Sequence, residues 1–219
     1  MPAAAIFDND GLTLDTERTW TRAEARLYAR YGTTFTLDHK REMLGTSGPK
    51  SAHTMERHLG QPGRGDELRR ELRELVHDEL DGTAVEPMPG AIELIAALRE
   101  RGVPLGLATN SGREFATRAL RSAGLDASFD AVVSAEDVER PKPAPDVYLA
   151  AAARLGADPA ACVALEDSET GVAAARAAGM TVVGVPSFTG IDLDEADIVV
   201  PSLADPRVWR LLGLDRAVP

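Results

Sequence analysis

The stretch Ala3-Ala4-Ala5-Ile6-Phe7-Asp8-Asn9-Asp10-Gly11 carries the first decision about this chain. Five apolar residues in a row are of strand length, and near-continuous hydrophobicity suits a parallel strand buried on both faces. Two carboxylates follow, two residues apart, so in extended backbone they face the same side. Gly11 then lets the chain turn sharply away. The same kind of apolar run recurs at Val103 to Ala108, Ala131 to Ser134, Cys162 to Leu165 and Thr181 to Val185. Stretches of helical period lie between them. Ile92, Leu94, Ile95 and Leu98 make one stripe, closed by Gly102; Ala116, Ala119 and Leu120 make another, closed by Gly124. Tyr148, Ala151, Ala152 and Leu155 make a third, closed by Gly156, and an Ala-rich stretch after Asp167 ends at Gly179. Strand and helix in alternation predict a doubly wound, Rossmann-like parallel sheet with helices on both faces.

The rhythm breaks once. A strand–helix–strand crossover takes about 30 residues, yet roughly 90 separate Phe7 from Val103. That insert reads as helical around residues 17–31, 49–59 and 66–80, with Leu68, Leu72, Leu75 and Leu80 at helical spacing. Gln61 to Gly65 forms a loop within it, and Glu86-Pro87-Met88-Pro89-Gly90 is a stiff return to the sheet. The expectation is an α/β core, residues 1–15 and 87–219, with an inserted α-helical cap domain, residues 16–86.

Composition narrows the function. The 219 residues are 44% hydrophobic and 27% charged, an ordinary globular balance. A net charge of −11 argues against nucleic acid and against an anionic membrane surface as partners, since both need basic patches. Cys162 is the lone cysteine, which excludes an intrachain disulfide and a Cys-built zinc site. No apolar run approaches the roughly 20 residues that span a bilayer, and the N-terminus lacks a signal-peptide pattern. The expectation is a soluble, cytoplasmic protein, a monomer or small homo-oligomer.

Open parallel sheets bind ligands beyond the carboxyl ends of their strands. The first run delivers Asp8 and Asp10, the second Thr109-Asn110-Ser111, and the fourth Glu166-Asp167; Lys142 follows the third, between Pro141 and Pro143. Acids, a hydroxyl and one lysine at one sheet edge are the makings of magnesium-assisted phosphoryl transfer. One of the paired aspartates can attack phosphorus while the other trades protons with the leaving group and with water. Mg2+ would neutralise the crowded acids, with Asp167 as a ligand and Glu166 a possible one. Each element has a plainer reading by itself. Asp8 to Gly11 could be a polar turn, Thr109 a capping hydroxyl, Lys142 a solvated charge, and Asp167 or Ser168 a helix N-cap.

In order and spacing, these motifs resemble the haloacid dehalogenase superfamily, in its helical-cap phosphatase and β-phosphoglucomutase-like branch. Phe7-Asp8-Asn9-Asp10-Gly11 with Leu14-Asp15-Thr16-Glu17 is similar to the first motif and its flap, and Leu107 to Ser111 to the second. Arg140 to Asp146 resembles the third, and Leu165 to Ser168 with Gly171 the fourth. The resemblance implies Asp8 as nucleophile, forming an aspartyl-phosphate, and Asp10 as general acid and then base. It implies magnesium on Asp8, the Asp10 main-chain carbonyl and Asp167, with Thr109, Asn110 and Lys142 as the phosphate-binding set. Asp10 favours phosphoryl transfer over dehalogenation. The mutases of this branch carry a histidine ten residues after the general acid; here that residue is Trp20, and Gly48 stands where their cap-loop arginine would be. Both departures favour hydrolysis of a small phosphorylated metabolite, such as a sugar phosphate. A phosphomutase and a catalytically silent binding protein are the alternatives. Trp20, Ser47, Lys50 and His53, with Arg22 and Thr46, are the candidate specificity residues of the cap, and Arg113 is a candidate for an anionic leaving group. Asn9 is read as a polar residue with no bearing on the chemistry.

Overall fold

The computed structural model describes residues 1–43, 48–187 and 190–214. The chain divides into two compact units, Thr16–Ala84 and Met1–Asp15 with Val85–Pro219.

The larger unit is built on six parallel strands: β1 (Ala4–Phe7), β2 (Leu105–Ala108), β3 (Ala131–Val133), β4 (Cys162–Glu166), β5 (Thr181–Gly184) and β6 (Ile198–Val199). Their order is β3-β2-β1-β4-β5-β6. The chain runs outward from β1 to β3, then crosses back to place β4 on the other flank of β1. In such a sheet the crevice for a ligand opens beside the strand where the winding reverses. The register sets the strand ends level there, with Phe7 paired to Leu107 on one side and to Leu165 on the other.

Every residue of β1, β2 and β4 is buried, which is why these strands read as continuous apolar runs rather than alternating ones. Alternate side chains feed two faces. Ala4 and Ile6 join Ala108, Val133, Cys162 and Ala164 in a core covered by helices α7 (Asp146–Arg154) and α8 (Glu169–Ala177). Ala151, Ala152, Ala174 and Ala175 face the strands, and these small side chains let helix backbones lie close to the sheet. Phe7 packs edge-to-face on Phe129, ring centroids 5.9 Å apart.

Helix α5 (Ala91–Glu100) buries Leu94, Ile95 and Leu98, whereas Ile92 is 49% exposed. The stripe expected from sequence is therefore one residue narrower: Ile92 lies two positions before Leu94, about 200° around the helix. Helix α6 (Arg113–Ser122) buries Ala116, Ala119 and Leu120 as its spacing predicts. Strand β6 and helix α9 (Pro206–Leu211) are elements the periodicity does not announce, being two and six residues long.

The smaller unit holds α1 (Thr16–Arg30), α2 (Leu37–Met43), α3 (Gly48–Leu59) and α4 (Gly65–Gly82). Leu68, Leu72, Leu75 and Leu80 of α4 are all buried, as are Ala23, Leu27 and Tyr28 of α1. Arg22 and Arg26 of α1 reach Glu79 of α4 at 2.7 Å. The Tyr28 hydroxyl bonds His58 Nδ1 at 2.7 Å, so the one buried phenol of α1 has its polar end satisfied.

Candidate active site

Asp8 leaves the end of β1 with its main-chain N–H still bonded to Leu165 of β4, 3.0 Å away. It is buried, and so are Lys142, Glu166 and Asp167. Lys142 lies on the loop between β3 and α7, and Asn110 fastens that loop to the end of β2. The Asn110 Oδ1 accepts from the Lys142 N–H at 2.9 Å, and its Nδ2 donates to the Lys142 carbonyl at 3.1 Å. The ammonium of Lys142 then donates to Asp8 Oδ1 (2.5 Å), Glu166 Oε1 (2.5 Å) and the Ala108 carbonyl (2.8 Å). A lysine has three N–H donors, and all three are placed. What it contributes here is positive charge at a fixed point. Burial by itself would lower the Lys142 pKa, but the charges of Asp8 and Glu166 outweigh it and hold it above its ordinary value.

Glu166 is held from every side. Its Oε1 accepts from Lys142 and from the Tyr148 hydroxyl at 2.6 Å; its Oε2 accepts from the main-chain N–H of Asp167 (3.0 Å) and Ser168 (3.3 Å) and from Ser168 Oγ (3.1 Å). Five donors fill the roughly four lone-pair sites of one carboxylate, with some sharing. The carboxylate also lies where a side chain on Gly171 would be, since a Cβ there would fall 1.9 Å from Glu166 Cδ.

Asp10 is placed differently. Its Oδ2 accepts from Ser111 Oγ at 2.7 Å and from Thr109 Oγ1 at 3.1 Å, and its Oδ1 from Asn9 Nδ2 at 3.1 Å. Thr109 Oγ1 in turn accepts the Ser111 N–H at 2.9 Å, which orients that hydroxyl toward Asp10. Asp8 and Asp10 therefore stand side by side in two environments, one against a buried lysine, the other against neutral donors.

Oxygen atoms of Asp8, Glu166 and Asp167 all lie within 4.8 Å of one another. Three buried carboxylates with no nitrogen or sulfur donor fit a hard divalent cation. Without one, burial raises the Asp8 carboxyl well above the ordinary range despite Lys142, with Glu166, Asp167 and Asp10 adding to the effect. Burial and then Glu166 push Asp167 up to about 7. Because Glu166 is already saturated by donors, Asp8 and Asp167 are the better ligands of the three. Gly11, at φ +83°, turns the chain beside them, and a Cβ there would meet Asp167. The glycine is required twice over, by conformation and by space.

A family model described as haloacid dehalogenase-like hydrolase matches residues 5–185. That span contains every motif from Asp8 to Asp167. The chain belongs to the haloacid dehalogenase-like hydrolases. It is 38% identical over 217 residues to hexitol phosphatase B of Escherichia coli K12, covering 96% of both chains. It is 36% identical to the mitochondrial (DL)-glycerol-3-phosphatase 1 of Arabidopsis thaliana, over 94% of this chain and 72% of that one. Among solved structures it resembles CbbY from Rhodobacter sphaeroides in complex with phosphate, with a TM-score of 0.80, 28% identity, and coverage of 94% and 96%.

Within this haloacid dehalogenase-like hydrolase, the remaining candidates from sequence fall elsewhere. On the helical unit, Trp20 is half-buried on α1, whereas Lys50 and His53 are exposed on α3, with His53 Nδ1 3.8 Å from Glu56. Ser47 and Thr46 lie outside the described residues. Arg22 is paired with Glu79, and Arg113 with Asp137. Ser111, Tyr148 and Asn9 are residues whose part in the site the sequence reading missed. Tyr148 alone offered a signal, because a tyrosine in a buried apolar stripe needs a partner for its hydroxyl.

Proposed function

We propose that this chain is a magnesium-dependent phosphatase acting on a small phosphate monoester, a sugar or polyol phosphate, through an aspartyl-phosphate on Asp8. The observation that carries the reading is the separation of the two aspartates. Asp8 is fixed by Lys142 next to the carboxylate cluster, while Asp10 is drawn aside by Thr109 and Ser111 and is left to handle protons. The names of two relatives, a hexitol phosphatase and a glycerol-3-phosphatase, support an alcohol as the leaving group.

In the first step an Asp8 carboxylate oxygen attacks phosphorus, the bond from phosphorus to the alcohol oxygen breaks, and Asp10 delivers its proton to that oxygen. In the second, water attacks the phosphorus of the aspartyl-phosphate, Asp10 accepts the water's proton, and Asp8 is released with inorganic phosphate. Lys142 holds positive charge against Asp8 throughout. The Asn110 main-chain N–H supplies a donor for a phosphate oxygen, and no acceptor among the described residues takes it. The Thr109 hydroxyl, whose one proton goes to Asp10 here, would turn to a phosphate oxygen when substrate binds. Asp8, Asp167 and the Asp10 carbonyl would hold Mg2+, which supplies charge neutralisation for phosphate beside four acids. Trp20, standing where the mutases of this branch carry histidine, supports hydrolysis over mutase chemistry. Trp20, Ser47, Lys50 and His53 are the proposed specificity residues.

The test is phosphate release from a panel of small esters, with magnesium and with excess chelator, for wild type and Asp8→Asn. Magnesium-dependent release that vanishes in the variant is the expected result. Interconversion of sugar phosphates without net release would replace this reading with a mutase.

A further inference from the structure

Asn9 lies between the two aspartates with its side chain fully buried. Its main chain is fixed by bonds from the Thr13 and Leu14 N–H groups to its carbonyl, at 3.1 and 3.0 Å. Its side-chain amide makes one bond, from Nδ2 to Asp10 Oδ1 at 3.1 Å, and its Oδ1 is buried with no partner among the described residues. With Asp10 ionised, turning the amide over would set one oxygen against another. An unpaired buried acceptor is a standing cost that an apolar side chain at this position would not carry. The amide is therefore retained at a loss to stability, and its one bond goes to Asp10.

We infer that Asn9 is a positioning residue for the proton-transfer step, holding the plane of the Asp10 carboxylate. Three of the bonds to the Asp10 side chain divide the work. Ser111 and Thr109 anchor Oδ2, and two donors on one oxygen still let the carboxylate swing about it. A donor on Oδ1, delivered from the neighbouring residue, sets the plane. The orientation matters when Asp10 gives its proton to the departing alcohol oxygen as the phosphorus–oxygen bond breaks and the Asp8–phosphorus bond forms. A carboxyl group in the wrong plane misdirects that proton, and small misplacements of a reacting group cost up to about 100-fold in rate. This inference rests on the proposed phosphatase reading, in which Asp10 is the general acid.

The leaving group isolates the step. An alkyl phosphate releases a strongly basic alkoxide and needs the proton; p-nitrophenyl phosphate releases a stabilised phenolate and does not. Measuring kcat/KM excludes the later hydrolysis of the aspartyl-phosphate, which also uses Asp10. For Asn9→Leu, the ratio of kcat/KM for glycerol phosphate to that for p-nitrophenyl phosphate is expected to fall about 10- to 100-fold from wild type. The melting temperature should hold or rise, because the orphan acceptor is gone. A ratio that stays within about threefold of wild type overturns the inference, since a merely structural role lowers both substrates alike. Should Asn9→Leu fail to fold, Asn9→Ala gives the same comparison; failure of both to fold assigns Asn9 to the fold and overturns it too. If wild type hydrolyses neither ester with magnesium, the phosphatase reading itself falls, an outcome distinct from an unchanged ratio.

Discussion

Among the described residues Lys142 is the single cation at Asp8, Glu166 and Asp167, 7% exposed and with every N–H bonded. Taking away one partner of a buried ion pair leaves the other charge uncompensated, which costs roughly 3–5 kcal/mol. Lys142→Met should therefore lower the unfolding free energy of the metal-free protein by about that much, read by denaturant titration, and abolish measurable turnover. Tyr148→Phe makes a finer cut. It removes one of five donors to Glu166 while keeping the ring against which the Lys142 ammonium sits, 5.1 Å from the centroid. A stability loss of about 1–2 kcal/mol is expected, with turnover reduced but not lost. Wild-type stability in that variant would show the hydroxyl to be idle. At this scale Asp8, Asp10, Lys142 and Asp167 could be read from chemistry and order along the chain. The Tyr148 partner of Glu166 could not, because it sits on α7, 18 residues before the end of β4, and side-chain hydrogen bonds across that distance leave no periodic trace.

Elements carry these residues and set their precision. The loop that bears Lys142 starts at a short capped turn after β3. Ser134 N and Oγ donate to Asp137 Oδ2 at 2.8 and 3.0 Å, and Arg154 of α7 reaches Asp137 Oδ1 at 3.1 Å. Burial would raise the Asp137 carboxyl, but the Ser134 and Arg154 bonds outweigh it and hold it at about 2. A carboxyl depressed in the fold contributes stability above its unfolded pKa, and that contribution is lost as pH falls through the folded value. Asp137→Asn should thus cost about 1 kcal/mol near neutrality, and the difference from wild type should close between pH 4 and pH 2, as urea titrations across that range would show. Gly171→Ala probes the first turn of α8. Alanine favours helix by about 1 kcal/mol over glycine, yet its Cβ would fall on the Glu166 carboxylate. Overpacking of about 1–3 kcal/mol wins, so the variant should be less stable and less active despite its better propensity. A stabilised, fully active variant would contradict the placement of Glu166. The β1, β2, β4 and β5 runs were legible because both of their faces are buried. Strand β6 was not, since Ile198 is half-buried and Val199 is exposed at a sheet edge, and two residues have no period. Helix α2 hid for a related reason: Leu37, its first residue, is 77% exposed, and the stretch has no apolar stripe.

For the whole molecule the decisive quantity is charge at the crevice beside β1 and β4. Four acids face one lysine there, so a bound divalent cation should stabilise the fold as mass action requires. At a magnesium concentration about 100 times its Kd the gain is about 2.7 kcal/mol, or a rise of roughly 5–10 °C in melting temperature for a chain this size. Calorimetry with and without magnesium would show it, and Asp167→Asn should abolish the shift. An equal shift in the variant would place the cation elsewhere. Strand-length apolar runs, helical stripes closed by glycine and the residues at each run's end determined the α/β class and the identity of the acids, because buried strands and amphipathic helices impose local periods that survive in the linear chain. Which of those acids meet the lysine and which meet neutral hydroxyls was decided only in the tertiary structure. The sheet order brings Asp8 beside Glu166 and carries Ser111 to Asp10, and interactions between groups 100 or more residues apart depend on ångström distances that no spacing along the chain encodes.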